Sequence, residues 1–474
     1  MTNYHVGWSG WLIMVLAFVT ITLLPACDPP RGFFPELSDS TASSEIGDAA
    51  AVDPATAAPG SIVKLPLSGS VVLIGGWSKT TKPNVSTATA EFFNPATKKF
   101  TKTGSLPVSE GAGVAALLTL NVPHAEILAA GGFTGSSKFV HSTVSSKVTG
   151  NAIANVETFD PATGKFTAAA ANLLTARFGA TATALVSGKV LIAGGYDATG
   201  TPLDSAEVFD PATGKTTATA NTMSEPRVFH SATRLPDGTV LIAGGGTDNV
   251  GDVTNTADIY NAGTNSFSAT GSMSTARAAH AAVFLPGSPG SVLITGGATG
   301  GSGGLFSSFT AETYDPVGKA FTAVGPEMND SRAFHSATLL ASGKVLLVGG
   351  FTNYFSTVDG TTGTLSGLFG STLQSAEIYD PLADTFTCVP GTGNGGQICK
   401  ASMKMARAAH TATLFPSGPL AGQVLLAGGL GAGKPNTTST ELNEAELYNP
   451  TTNNFIKTGN LTAARGLHAA VLLP

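Results

Sequence analysis

"RAFHSATLLASGKVLLVGG", residues 332–350, sets an arginine and a histidine three positions apart, continues as a β-rich run and ends on two glycines. In isolation it reads as a charged pair beside a phosphate-cradling loop. A catalytic set is normally used once per site, whereas these words return as "RVFHSATRLPDGTVLIAGG" at 227–245, "RAAHAAVFLPGSPGSVLITGG" at 277–297 and "RAAHTATLFPSGPLAGQVLLAGG" at 407–429. A weaker copy, "RFGATATALVSGKVLIAGG", stands at 177–195. The stretch is therefore building material first.

A second phrase alternates with the first: "AEFFNPATKKF", "VETFDPATGKF", "AEVFDPATGKT", "ADIYNAGTNSF", "AETYDPVGKAF", "AEIYDPLADTF" and "AELYNPTTNNF". Seven diglycines and seven acidic-aromatic phrases, at a period of about 50 residues, are the mark of a repeat architecture. That lets all 474 residues belong largely to one closed array instead of several domains. Charged residues make up only 12% and glycine is abundant at 58, which suits short strands and tight turns. A net charge of -6 provides no basic patch, so nucleic acid is not an expected partner.

Each repeat offers four strands, A to D: "HSATLL", "KVLLVGG", "AEIYDP" and the stretch around the phenylalanine after the turn. Four-stranded meanders repeated radially make propeller blades with short, protected edges. The diglycine ending strand B and the Glu-x-Tyr/Phe-Asp-Pro phrase resemble the kelch family, including the bacterial kelch and galactose oxidase-like propellers, over residues 68–474. The resemblance implies an all-β, seven-bladed propeller. One departure is consistent: the family's strand D tryptophan is Phe100, Phe166, Phe267, Phe321, Phe386 or Phe455 here, with Thr216 or Thr217 in the remaining repeat. The sequence ends on "RGLHAAVLLP", a strand A without its B, and the ordered region opens on "LSGSVVLIGGW", a strand B without its A. Joined, they form one blade, so the C-terminal strand is expected to close the ring beside residues 71–76.

The first 67 residues are of another kind. "WLIMVLAFVTITLL", residues 11–24, is short for a membrane span and precedes "LPACDPP", which resembles the bacterial lipoprotein lipobox with Cys27 as the acylated residue. Residues 1–26 are expected to be a signal peptide and 27–67 a Ser-, Ala- and Pro-rich tether, placing the protein in a bacterial cell envelope. Against that reading, the n-region has no Lys or Arg and Pro25 is unusual in such a box; an uncleaved anchor or ordinary secretion is the alternative. Cys388 and Cys399, in the Gly-rich "CVPGTGNGGQIC", are expected to form a local disulfide outside the cytoplasm.

In an up-down-up-down blade the A-B and C-D turns share one face and the B-C and D-A connections the other. The long excursions, 133–156, 351–376, 430–445 and the D-A loop 387–406, all fall on the second face, where recognition residues concentrate. Arginine at the start of strand A and acid at the start of strand C lie about 9–10 Å apart there, with only glycine between. Six structural pairs are expected: Arg177 with Glu207, Arg227 with Asp258, Arg277 with Glu312, Arg332 with Glu377, Arg407 with Glu446, and Arg465 with Glu91 across the closure. The recurring His230, His280, His335, His410 and His468 belong to different blades and are expected to pack, not to hold zinc. The diglycines precede no helix, as a phosphate loop would. No metal or other cofactor is expected.

One blade breaks the pattern. In "SEGAGVAALLTL" Glu110 replaces the arginine and Gly113 the histidine, so Glu110 would face Glu157 without a cation unless Lys138 supplies one. The candidate ligand-binding residues are Glu110, Glu157, Lys138, His141, Tyr196, Tyr354 and Phe355; catalytic residues are not assigned. Two function classes follow. The first is a monomeric surface module binding a protein or glycan through the long-loop face. The second is a carbohydrate-active enzyme like the propeller relatives, either a mutarotase, in which carboxylate and arginine groups assist proton transfer, or a copper oxidase. Resemblance to galactose oxidase implies copper held by tyrosines, histidines and a Tyr-Cys crosslink. Apart from Cys27 the only cysteines are the loop pair, so copper chemistry is not expected.

Overall fold

The computed structural model describes residues 69–78, 84–118, 126–137, 148–248, 251–301, 304–352, 355–358, 365–368, 371–390, 399–400, 402–432 and 439–474. The expected signal peptide, Cys27 and the expected tether lie outside them, as do Lys138, His141 and Tyr354. Among the described residues no helix is long and apolar enough to cross a membrane.

Seven four-stranded antiparallel blades form the molecule. Blade 1 joins Ala469–Leu472 to Val71–Ile74, Asn84–Asn94 and Lys99–Glu110. Blade 2 is Val114–Leu118, Glu126–Ala130, Val156–Asp160 and Lys165–Ala168. Blade 3 is Thr181–Ala184, Val190–Ala193, Ala206–Asp210 and Lys215–Ala218. Blade 4 is Ser231–Arg234, Val240–Ala243, Ala257–Asn261 and Ser266–Ala269. Blade 5 is Ala281–Leu285, Ser291–Thr295, Ala311–Asp315 and Ala320–Ala323. Blade 6 is Ser336–Leu339, Val345–Val348, Ala376–Asp380 and Thr385–Cys388, and blade 7 is Thr411–Leu414, Val424–Ala427, Ala445–Asn449 and Asn454–Lys457. The C-terminal strand closes the ring, with Val71 opposite Leu472 and Ile74 opposite Ala469.

Local chemistry explains the repeated phrases. Strand B is buried on both faces between neighbouring blades, so it reads as an unbroken apolar run such as Val345–Val348. Strand D is the outer strand, exposed except at its aromatic, which tilts against the aromatic of strand C; Tyr379 and Phe386 have centroids 4.7 Å apart. In blade 3 Thr216, not Thr217, stands opposite Phe209, and its hydroxyl donates to Asn172 O at 2.7 Å. The Asp/Asn before the C-D turn accepts the N–H two residues on, as Asp160 does from Ala162 at 2.8 Å and Asn449 from Thr451 at 2.9 Å. This side-chain turn is why the phrase ends in Asp-Pro or Asn-Pro.

The diglycines form the seams between blades. The second glycine of each pair donates to the backbone carbonyl of the next blade's arginine position, as in Gly350 N to Arg407 O at 2.9 Å and Gly76 N to Glu110 O at 2.8 Å. Both glycines have positive φ, 63° and 103° at Gly349 and Gly350. A Cβ on Gly350 would lie 2.8 Å from the Ala333 carbonyl, so only glycine fits this approach.

A closed circuit of backbone hydrogen bonds surrounds the axis. Ala112 donates to Leu467, Leu467 to Ala409, Ala409 to Phe334, Phe334 to Ala279, Ala279 to Phe229, Phe229 to Gly179 and Gly179 back to Ala112, at 2.9–3.3 Å. All seven residues are left-handed, with φ between 51° and 67°, a conformation rare for side chains as large as Phe229 and Phe334. Except for Gly179, their side chains belong to one buried cluster that also takes in the residue after the diglycine in six blades, among them Trp77, Phe133, Tyr196 and Phe351; in blade 4 that residue is Gly246. The hub at the loop face is thus packed with apolar side chains.

Candidate functional site

The arginine at the head of strand A reaches across the glycines in six blades. Its Nη2 meets the strand C acid at 2.6–2.9 Å, joining Arg177–Glu207, Arg227–Asp258, Arg277–Glu312, Arg332–Glu377, Arg407–Glu446 and Arg465–Glu91. Nη1 donates at 2.6–2.8 Å to the carbonyl of the first glycine in the same blade. It also points at the carbonyl two residues before the acid, 2.9 Å away at Thr89 and 3.5 Å at Ser375. The acid in turn accepts backbone N–H groups from the D-A loop, as Glu377 does from Asn329 at 2.7 Å and Asp330 at 3.1 Å. Every one of these arginines is at most 1% exposed. A buried ion pair needs such additional hydrogen bonds to offset its desolvation; among the described residues the Nε of each of the six arginines is left without one.

The histidines brace neighbouring blades. Nε2 of His230, His280, His410 and His468 lies 2.8–3.0 Å from the hydroxyl of Thr181, Ser231, Ser336 and Thr411, each at the start of the preceding blade's strand A. Burial, and then the neighbouring arginine, push His230, His335, His410 and His468 well below the ordinary imidazole range, and His280 down to about 3. They are neutral, hydrogen-bonded struts.

Blade 2 differs at each of these points. Glu110 ends the strand Lys99–Glu110, pairing with Thr87 across an irregular register. Both Glu110 and Glu157 are at most 3% exposed. Burial first and the Glu157 charge second push Glu110 well above the usual carboxylate range, and burial raises Glu157 despite its bond from Asn155. The Glu110 Cβ lies over Gly132 as the Arg227 Cβ lies over Gly245. Its carboxylate then turns toward Gly113 and Gly75, where a Cβ on Gly113 would come within 2.9 Å of it. In sister blades the imidazole Cε1 occupies that space, as His230 does against Gly194 at 2.7 Å. The short acid therefore fills the missing histidine's position and leaves the guanidinium position without a side chain of residue 110.

The remaining candidates separate. Tyr196 is buried in the hub, 5% exposed, and its hydroxyl donates to Asp248 O at 3.0 Å. Phe355 begins a hairpin strand opposite Leu368. Cys388 and Cys399 are bonded, with Cα atoms 5.5 Å apart. Asp330, Glu377 and Cys399 cluster in space, but the sulfur is in the disulfide and Glu377 is paired with Arg332.

Hairpins rise from the B-C connections. Phe133–Ser137 pairs with Val148–Ala152 in blade 2, and Ser136 and Ser137 continue onto Val85 and Asn84 of blade 1. Blade 5 has Ala298–Gly301 with Gly304–Ser307, blade 6 Phe355–Val358 with Leu365–Leu368, and blade 7 Leu430–Ala432 with Ser439–Glu441. The blade 5 hairpin was not among the expected excursions; its "GGSGG" turn was the available signal. In blades 3 and 4 the connection is a short turn bridged at Tyr196–Pro202 and Gly246–Val253. With Trp77–Ser78 paired to Ser86 and Val85 in blade 1, hairpins among the described residues stand on the contiguous blades 5, 6, 7, 1 and 2, and blades 3 and 4 carry only the short turns.

A family model described as the kelch motif matches residues 177–215. No curated protein sequence matches the chain. Among solved structures, one titled "Structure of YjhT" is 13% identical, covers 64% of this chain and 99% of its own, and has a TM-score of 0.45. A fungal alcohol oxidase of the AA5 family in complex with copper is 17% identical, covers 81% of this chain and 74% of its own, and has a TM-score of 0.52. That likeness is one of fold. The copper it brings to mind does not fit the described residues: both described cysteines are bonded to each other, the five recurring histidines bond through Nε2 within their seams, and the Tyr196 hydroxyl is engaged in the hub. Seven blades with diglycine seams, the acidic-aromatic turn phrase and the matching motif give the assignment: the chain is a kelch-repeat β-propeller.

Proposed function

We propose that this propeller is an interaction module that binds a protein or glycan partner through its hairpin face. One observation carries the reading: a run of hairpins over five contiguous blades stands around a rigid hub and falls away over blades 3 and 4. Such a surface puts recognition on loops with a rigid scaffold beneath, and is open on the side of blades 3 and 4. The repeated charged residues support it, because the six arginine-acid pairs already satisfy one another within the blades. Export and attachment to a bacterial envelope through Cys27 belong to the same proposal, and the disulfide between Cys388 and Cys399 accords with an oxidising compartment.

The full chain, displayed on a glycan array and against candidate surface proteins, tests the reading. Binding that is lost when residues 138–147, which link the paired strands Phe133–Ser137 and Val148–Ala152 in sequence, are replaced by a short Gly-Ser linker supports it. Accelerated sugar anomerisation with no retained ligand would instead identify a carbohydrate-active enzyme.

A further inference from the structure

Blade 2 keeps the receiving half of the arginine motif without the arginine. In each of the other six blades the guanidinium lies among the first-glycine carbonyl, the carbonyl two residues before the acid, and the acid. Blade 2 has the same three groups in Gly131 O, Asn155 O and Glu157. Its frame is also the same: Gly131 N donates to Asn155 O at 2.9 Å, as Gly75 N does to Thr89 O at 3.1 Å and Gly244 N to Thr256 O at 3.0 Å.

The acid has lost its usual donors as well. Pro107 stands where Leu174 or Asn329 donates a backbone N–H in blades 3 and 6, and proline has none. Among the described residues Glu157 Oε1 receives only the Asn155 amide, at 3.4 Å. Glu157 Oε2 is enclosed and has no hydrogen-bond partner among the described residues. A buried oxygen left this way is costly, and the six sister copies show which charge the position is shaped to receive. Glu110 adds a second acid, and every group offered is oxygen. That donor set suits a hard cation and not a soft or imidazole-seeking one.

We propose that blade 2 binds a hard metal cation of the Ca²⁺ type through Glu157 and the carbonyls of Gly131 and Asn155, with Glu110 supplying the second negative charge, in the place that arginine fills elsewhere in the ring. The cation takes over the arginine's part in tying strand A to strand C of this blade. The inference does not depend on the partner-binding reading above.

The test is equilibrium dialysis of the full chain against ⁴⁵Ca²⁺, with thermal unfolding in parallel. A single equivalent is expected to bind, with affinity near the roughly 10⁻⁴–10⁻³ M of extracellular calcium modules and ahead of Mg²⁺, which demands stricter geometry. Bound Ca²⁺ should raise Tm. Glu157→Gln, nearly isosteric, should abolish both effects, and Glu110→Arg should abolish binding while unfolding in calcium-free buffer no lower than the parent. Absence of binding, or equal binding by the parent and Glu157→Gln, overturns the proposal. So does a Lys138→Ala chain that binds Ca²⁺ where the parent does not, because the lysine would then be the native cation.

Discussion

Ala281 and Thr295 face each other across strands A and B of blade 5, and Thr295 supplies the hydroxyl that Ala281 lacks. In four other seams a Ser or Thr at the start of strand A meets the next blade's histidine. Here the position is alanine, and Thr295 Oγ1 reaches His335 Nε2 at 2.8 Å from the opposite strand. Thr295→Val should cost about 1–3 kcal/mol by stranding a buried ring nitrogen. Adding Ala281→Ser should recover most of the loss, a coupling that urea unfolding of the single and double variants measures. Additive losses would mean the hydroxyl is not interchangeable between the two strands.

The five histidines make the ring acid-sensitive. Their folded pKa values are depressed, His280 from 6.5 to about 3, so above 6.5 they are neutral in both states and the seams are at full strength. As pH falls below 6.5 the unfolded chain takes up protons that the folded one refuses. Each histidine then removes about 1.4 kcal/mol per pH unit, until its folded pKa is reached. Unfolding followed across this window should show Tm falling steeply with acid, and His410→Gln should shallow the slope. A Tm that is level from about pH 6.5 to 4 would contradict neutral, buried imidazoles.

Arg332 and Glu377 are both wholly enclosed and bonded at 2.6 Å. Arg332→Met is expected to cost about 3–5 kcal/mol, because it leaves a buried carboxylate without its cation. Arg332→Met combined with Glu377→Gln should cost less than the first change alone. Arg332→Lys should be only a partial rescue, since an ammonium cannot span the glycine carbonyl and the acid as the planar fork does. Chemical denaturation of the three variants ranks them, and a silent Arg332→Met would show that the pair adds nothing.

Removal of residues 465–474 takes away the innermost strand of blade 1 together with Arg465 and His468. The exposed edge of Val71–Ile74 and an unpaired Glu91 together exceed the roughly 5–15 kcal/mol by which a domain is normally stable. The truncated chain should lose its cooperative melting transition and become readily cut by protease. Melting at the parent's temperature would show that ring closure is not needed for stability.

Much of the ring was legible because its chemistry is repeated. Arg332, His335, Gly349 and Gly350 could be read as seam residues once the same spacing appeared elsewhere in the chain, and parity put Arg332 on the same face as Glu377. Other features rest on geometry that no single repeat displays. The Glu110 side chain turns into the histidine's space because Gly113 leaves it open, and that depends on the opposing blade and not on the residue's neighbours in sequence. Pro107 was visible, but its meaning required knowing that Leu174 and Asn329 donate from the matching position. The axial circuit was hidden for another reason: it is made by backbone groups of Ala112, Gly179 and Phe229 alike, and a left-handed phenylalanine leaves no trace in composition.

Strand B of blade 1 enters the propeller at its turn face and reaches the hairpin face only at Gly75 and Gly76. At the entry, Gly69 N donates to Leu473 O at 3.1 Å and Leu473 N to Ser70 O at 2.8 Å, so both ends of the ring are clasped together on the side away from the hairpins. The start and the end of the described ring therefore lie at one pole of the propeller and the hairpins at the other. A bulky group joined directly at Gly69 or Pro474 would leave the ring on the side away from the hairpins.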